Sequence, residues 1–369
     1  MSEAPVILLE ERPTADGRVL GIATLNSERS LNSLSLDMIT LLYPALKAWA
    51  ADARVVAVVL QGAGEKAFCA GGDVRRIYTG VRENGYGDTY ALDFFTQEYR
   101  LDYCIHRFPK PFIVWGGGIV MGGGIGLMAG ASHRVVTESS RLAMPEISIG
   151  LYPDVGGSYF LAHLPGRLGL FLGLTGCHLN AADALHTGFA NHVAANNRRQ
   201  DVVAALAALP WSADAAEHAA QVTALLAAET APALAASALE QHHEAIETLC
   251  SGDDLATVYA ALSAANTEPW LNKAGQTLAK GSPSSAALIW RQWHEGARLS
   301  LAEVFRQELM VSTQCARHPD FHEGVRALLV DKDNSPRWQP ATLAEVSADW
   351  IDEHYQAPWS GAHPLADLA

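Results

Sequence analysis

The sequence predicts an α/β protein, on three observations. Short apolar runs of strand length alternate with helical patterns through the first half. Glycine-rich segments stand where two of those runs give way to a helix. The second half turns Ala-rich and helical, with few strand signals.

Taken in order, residues 6–9 and 19–25 read as a hairpin, and residues 37–51 as a helix. Residues 55–60 (VVAVVL) read as a fully buried strand. Residues 112–115 and 134–137 read as two more. Buried strands spaced by helices imply βαβ units. Residues 181–187 start a helix that Gly188 ends. From about residue 197 to 278 the chain is Ala-rich and helical, and residues 286–330 continue the helical pattern. The run EGVRALLVDKDNSP reads as a helix end followed by a charged turn, with Lys332 assigned to the late helix. Three regions are expected: a core at 1–195 carrying the active site, an Ala-rich helical segment at 196–285, and a C-terminal helical region at 286–369.

Composition excludes several classes of partner. The chain has 369 residues, 49% of them hydrophobic, ample for a buried core. Its formal charge of −14 repels nucleic acid and anionic membrane. A small anion would need a local basic patch. The start, MSEAPVILLEERP, lacks a basic leader region and a long apolar core, so a cytoplasmic protein is expected. No stretch approaches the roughly 20 apolar residues of a membrane helix. The five cysteines are scattered and read as reduced thiols.

Two glycine segments bear on chemistry. KAFCAGGD (66–73) follows the VVAVVL strand, and GGGIVMGGGIGLMAG (116–130) follows FIVW. Glycine removes the side-chain wall, so a ligand can reach backbone N–H groups. The first N–H groups of a helix lack internal partners and carry partial positive charge. Two such turns could aim two N–H groups at one oxygen, as an oxyanion hole does. Tight strand–helix packing selects glycine as well. A dinucleotide fingerprint fits poorly: GGGIGL departs from GxGxxG, and no acidic residue follows at the ribose spacing.

The stretch AMPEISIGLYPDVGGSYF (143–160) holds two carboxylates, Glu146 and Asp154, in apolar surroundings. Each follows a proline, which fixes φ and resists regular helix. A carboxylate on such a stiff apolar loop should hold its proton more tightly, as acid–base work requires. The competing assignment is helix capping, for which Asp154 is well placed. His242 and His243 sit in a charged helical stretch and read as solvated. His318 and His322 flank a proline, which argues against a metal pair, and no HExxH, GxSxG or Walker loop is present.

The ordered set KAFCAGGD, MGGGIGL, MPEISIGLYPDVGG and HPDFHEGVRA resembles the crotonase superfamily, and 3-hydroxyisobutyryl-CoA hydrolases in particular. The resemblance runs from about residue 6 to Trp338. It implies a spiral of ββα units with an α-helical C-terminal region. It implies bent CoA lying against the glycine turns, with the thioester oxygen between the N–H groups of Ala70 or Gly71 and of Gly123. Residues matching Glu98, Gly122, Gly123, Glu146 and Asp154 would line the acyl site. Glu146 would be base or nucleophile, and Asp154 would orient the substrate hydroxyl or move a proton. Lys66, Arg75 and Lys332 are the expected CoA contacts, with Arg76 and Lys110 also flanking the turns. No metal or redox cofactor is implied.

Within the superfamily, hydratases use a second glutamate three residues after the oxyanion glycine. That position is Gly126 here, which has no side chain. The resemblance therefore favours hydrolysis of a short 3-hydroxyacyl-CoA, in valine breakdown. A hydratase or isomerase using Glu146 alone, and a silent CoA-binding or assembly module, are the alternatives. Trp115 is expected to narrow or reshape the acyl pocket. Family members often assemble as trimers or pairs of trimers, so a homo-oligomer is expected.

Overall fold

The computed structural model describes residues 4–85, 88–266 and 268–369. Among the described residues nine strands are formed: β1 (Ile7–Pro13), β2 (Val19–Leu25), β3 (Val55–Gly62), β4 (Ala67–Cys69), β5 (Phe112–Gly116), β6 (Ile119–Met121), β7 (His133–Val136), β8 (Arg141–Ala143) and β9 (His192–Val193). They make a six-stranded sheet ordered β1-β2-β3-β5-β7-β9 and a three-stranded sheet ordered β4-β6-β8. β1 is antiparallel to β2 and starts the expected hairpin, with Ile7 opposite Leu25. The neighbours from β2 to β9 run parallel. Successive strands alternate between sheets: β3 then β4, β5 then β6, β7 then β8. The first two pairs lead into the helices Val74–Asn84 and Gly123–Ala129. This is the ββα repeat that the resemblance implied.

By its internal contacts the chain divides into two units, each assembled from three stretches. The first holds residues 1–72, 100–142 and 179–237, and the second holds 73–99, 143–178 and 238–369. The Ala-rich stretch falls into both, changing units between Ser237 and Ala238.

In the first unit β3 is buried along its whole length, which explains its unbroken apolar run. A core of Leu20, Ile22, Val56, Val59, Ile113, Trp115 and Val135 is covered by Val202, Leu206, Trp211 and Val222. The last four lie on and between the helices Arg199–Ala208 and His218–Ala227, so this part of the Ala-rich stretch packs the sheet. Burying one such side chain is worth roughly 1.5–3 kcal/mol. Trp115 belongs to that core. Its expected place in an acyl pocket is corrected, because β5 turns it toward the covering helices. Helix Leu36–Ala51 starts with the Ser35 side chain accepting from Met38 N–H at 3.2 Å. It ends where Lys110 Nζ donates to the carbonyls of Trp49 and Asp52 at 2.7 and 2.5 Å. Lys110 is thus spent on a helix C-terminus rather than on the glycine turns.

The second unit is mostly helical. Helix Leu301–Cys315 opens with a capping box between Ser300 and Glu303 and buries Val304, Phe305, Glu308, Leu309 and Ser312. Helix Pro319–Val325 follows, then a π-turn at Arg326–Val330. Lys332 lies beyond that turn at φ +57, exposed, so its assignment to the late helix is corrected. His242 is half-buried and stacks on Trp270 at 5.3 Å, rather than standing in solvent.

Candidate active site

The glycine turns lie together within the first unit. After β4, Ala70 N–H donates to Leu31 O at 3.1 Å, so that donor is already engaged. Gly71 takes φ +105, a region that side chains rarely adopt. Its carbonyl accepts from Leu34 N–H at 2.8 Å and from the Ser33 hydroxyl at 3.1 Å. A Cβ added at Gly71 would sit 3.3 Å from Met121 O, so the two turns touch. Gly122 precedes the helix Gly123–Ala129 at φ +48, ψ −120. Gly123 is its first residue, whose N–H has no intrahelical partner. Among the described residues the N–H groups of Gly71, Gly72 and Gly123 meet no acceptor. Gly72 is half-buried whereas Gly71 is buried, which makes Gly72 a donor that the sequence reading passed over. The signal was available: the first glycine turn holds two consecutive glycines.

The carboxylates lie together within the second unit. Glu146 opens a 3₁₀ turn, Glu146–Ile149, and caps nothing with its side chain. The turn is held by Ser282 N–H donating to Ile147 O at 2.9 Å. It is also held by Gly324, where a Cβ would come within 2.5 Å of Ile149. That close approach is what the late EGVRA motif provides. Asp154 is buried and accepts from the Tyr99 hydroxyl at 2.5 Å. Its side chain does not cap the following helix, Gly157–Ala162. Its carbonyl accepts from Gly157 N–H at 2.7 Å, but the N–H groups on either side, of Gly156 and Ser158, go elsewhere.

They go to Glu308. Its Oε2 accepts from Gly156 N–H at 2.8 Å and its Oε1 from Ser158 N–H at 3.0 Å. One helical turn on, Ser312 Oγ lies 2.7 Å from both the Tyr99 and the Tyr152 hydroxyls. Tyr152 donates to Glu308 O at 3.0 Å. Glu98, on helix Tyr90–His106 beside Tyr99, is buried, and its Oε1 has no described partner. The same holds for Glu146 Oε2.

Four of the buried acids in this unit therefore cluster here, and no described Lys or Arg pairs with any of the four. Burial raises the proton affinity of each. Glu98 and Glu146 rise well above the usual carboxylate range, from burial first and then the charge of Asp154. Asp154 is raised by burial to about 6, with the Tyr99 hydrogen bond opposing the rise. Glu308 is raised to about 8 by burial and by Asp154, against its two N–H donors. Such a cluster can take, hold and pass protons near neutral pH, which is what acid–base catalysis demands.

The sequence reading missed Glu308, Tyr99 and Ser312. For Glu308 and Ser312 the signal was polar residues, four apart, on the apolar face of QELMVSTQC. Val155, between Asp154 and Gly156, sits at φ +54. For a β-branched residue that conformation costs roughly 1–2 kcal/mol, which the surrounding bonds must offset. Of the expected CoA contacts, Lys66, Arg75 and Lys332 are all exposed. Arg75 also donates to Leu329 O at 2.8 Å.

This fold and these groups define a class. The chain belongs to the enoyl-CoA hydratase/isomerase family, whose sequence profile matches residues 20–355. More particularly, it is 41% identical over 337 residues to the mitochondrial 3-hydroxyisobutyryl-CoA hydrolase of Gallus gallus, covering 91% of this chain and 86% of the relative. It is 42% identical over 341 residues to that of Danio rerio, covering 91% and 87%. A solved structure described as a carnitinyl-CoA dehydratase from Mycobacterium thermoresistibile superposes with a TM-score of 0.82 at 38% identity, over 94% of this chain and 96% of that one. The relatives' names correct one expectation. They are mitochondrial enzymes, which overturns the cytoplasmic location read from the N-terminus.

Proposed function

We propose that this chain hydrolyses the thioester of a short 3-hydroxyacyl-CoA, with 3-hydroxyisobutyryl-CoA as the leading substrate, to the free acid and CoA. The supporting observation is the buried acid cluster around Glu146 and Asp154, in a chain about 40% identical to such hydrolases. Gly126 leaves no second glutamate for the hydratase route. A place in valine breakdown follows from the same substrate.

The roles assigned are these. N–H groups of Gly71 or Gly72, and of Gly123, hold the thioester oxygen as it gains negative charge. Glu146 takes a proton from water, and the hydroxide adds to the carbonyl carbon. The tetrahedral adduct collapses, the C–S bond breaks, and the CoA thiolate leaves with a proton returned from the acids. In the covalent variant Glu146 attacks first, giving a mixed anhydride that water then opens. Asp154 passes protons or orients the 3-hydroxyl, and Glu98 contacts the hydroxyacyl end. Lys66, Arg75 and Lys332 would meet the phosphates of CoA.

The test is thiol release from 3-hydroxyisobutyryl-CoA, followed with a thiol reagent, beside loss of the conjugated absorbance of crotonyl-CoA. Thiol release should dominate, and Glu146→Gln should lower kcat by about 10²–10⁴-fold. A parent that hydrates crotonyl-CoA and releases no thiol would overturn the reading, as would a fully active Glu146→Gln enzyme.

A further inference from the structure

We propose that the hydroxyls of Tyr99, Ser312 and Tyr152 form a hydrogen-bonded string that holds Asp154 in its ionised, proton-accepting form. Tyr99, the link that touches the carboxylate, is thus a positioning residue. This rests on the reading of Asp154 as a proton carrier in thioester hydrolysis.

The geometry reduces to a count of hydrogens. Asp154 Oδ2 lies 2.5 Å from the Tyr99 hydroxyl. That hydroxyl lies 2.7 Å from Ser312 Oγ, which lies 2.7 Å from the Tyr152 hydroxyl. Tyr152 in turn lies 3.0 Å from Glu308 O. Four contacts are shared among three hydroxyls, each with one hydrogen. An ionised carboxylate and a carbonyl oxygen only accept. With Asp154 protonated, its own hydrogen fills the count. Asp154 then gives to Tyr99, Tyr99 to Ser312, Ser312 to Tyr152, and Tyr152 to Glu308 O. With Asp154 ionised, one contact must go without a hydrogen.

The contact given up is the cheapest of the four. Glu308 O lies inside helix Leu301–Cys315 and keeps its helical N–H partner. The string then reverses: Tyr152 gives to Ser312, Ser312 to Tyr99, and Tyr99 to the carboxylate. All three hydroxyl dipoles point toward the charge, and in a buried string each bond strengthens the next. Tyr99, Tyr152, Ser312 and Asp154 are all buried, so water competes little for these hydrogens.

Neutral donors decide the matter because no charge is at hand. The titratable groups facing Asp154 are Glu98 and Tyr99 from helix Tyr90–His106, and Glu146 and Tyr152 from the 145–156 stretch. Helix Leu301–Cys315 adds Glu308 and Cys315. All are acids, and all are raised above their ordinary range. The charge of Asp154 helps to raise Glu98, Glu146 and Glu308, so Asp154 loses its proton first, at about 6 against about 8 for Glu308. The two tyrosines and Cys315 stay protonated throughout that step. Asp154 thus ionises among neutral neighbours. Burial raises its proton affinity, and the hydroxyls of Tyr99 and Ser312 oppose the rise.

Substitution along the string reads its order. Tyr99→Phe keeps the ring beside Phe95 and Phe305, at 5.8 and 5.7 Å between centroids, and deletes only the donor. Carboxyl difference infrared titration of the full-length protein follows Asp154 without turnover, with Asp154→Asn used to assign the band. Its midpoint should rise by about one pH unit in Tyr99→Phe, by about half as much in Ser312→Ala, and least in Tyr152→Phe. The acidic limb of the kcat/KM–pH profile should rise in the same order. Tyr99→Phe should therefore lose about fivefold at pH 6 and less than about twofold at pH 9.

A purely structural tyrosine would lower kcat at every pH and leave the midpoint fixed, which overturns the proposal. A shift in Tyr152→Phe as large as that in Tyr99→Phe also overturns it, because the links would then not act in series. An unmoved midpoint in Ser312→Ala does the same, and that variant decides alone should Tyr99→Phe fail to fold. Midpoints that move in the stated order in a protein inactive on thioesters sink the hydrolase reading and leave the string in place.

Discussion

Two turns beside candidate chemistry take left-handed backbone, and they do so with opposite residues. The first is Gly71 at φ +105, and the second is the buried Val155 at φ +54. At Gly71 the chemistry is the backbone itself. An N–H donor needs no side chain, and a Cβ there would crowd Met121 O at 3.3 Å. At Val155 the chemistry is the carboxyl of the residue before it. The turn's task is to aim Asp154, and the valine adds packing while Glu308 holds the strained backbone. Glycine makes a main-chain site cheaply and legibly. A side-chain site can tolerate strain, provided distant residues fix it.

The largest effect that tests this contrast is at Gly71. Gly71→Ala forces a Cβ into a backbone region it rarely adopts and against the neighbouring turn. The free N–H donors of both turns should shift. We expect kcat for thiol release to fall by about 10²–10³-fold, with a much smaller change in KM. A variant within threefold of the parent would break the comparison, because the turn would then be packing and nothing more.

What the sequence made legible follows the same division. The glycine turns, the β3 run and the prolines before Glu146 and Asp154 are local signals, each contained within a few residues. All of them appear in the structure where expected. Which N–H is free is not local: Ala70 loses its candidacy to a bond with Leu31, nearly 40 residues earlier. Trp115 read as a pocket residue because its neighbours are glycines, yet its packing is decided by helices some 90 residues later. Glu308 left only a faint mark, its place on an apolar helix face, because the N–H groups it satisfies lie 150 residues away in sequence. Glu98 was reachable only through resemblance, since nothing around it in sequence marks a buried acid.

The acid cluster gives the next effect, and it is on stability. The folded-state proton affinities of Glu98 and Glu146 are raised, as are those of Asp154, to about 6, and Glu308, to about 8. Unfolded carboxyls titrate near 4. Between about pH 4 and pH 8 these four acids thus bind more protons in the folded chain than in the unfolded one. Their contribution to stability falls as pH rises through that window. Glu98→Gln copies the neutral acid in shape and cannot ionise. Its Tm should fall less steeply from pH 6 to 9, and at pH 9 should exceed the parent's by about 2–4 °C. Parallel Tm–pH curves would mean that Glu98 is not part of the charge load. Gly71 has no titratable side chain and none of the four acids lies in its turn, so Gly71→Ala should leave the slope of its Tm–pH curve unchanged.

The smallest effect returns to left-handed backbone, at Lys332. Its φ of +57 resembles that of Val155, but it is exposed, and its turn is held by surface side chains: Arg326 donates to Asp331 and Asp333, and the Asn334 amide donates to Lys332 O at 3.1 Å. None of these bonds uses the Lys332 side chain, so Lys332→Gly should relieve the strain and raise Tm by about 1–3 °C. If the ammonium also meets a CoA phosphate, KM should rise by no more than about threefold at low salt. An exposed charge contributes under ~1 kcal/mol, and salt screens it. Near 0.5 M salt parent and variant should then share one KM, while the Tm gain persists. A Tm that falls instead would show that the lysine side chain itself packs against its turn, as the buried valine does at Val155, so that exposure does not free a left-handed residue for replacement by glycine.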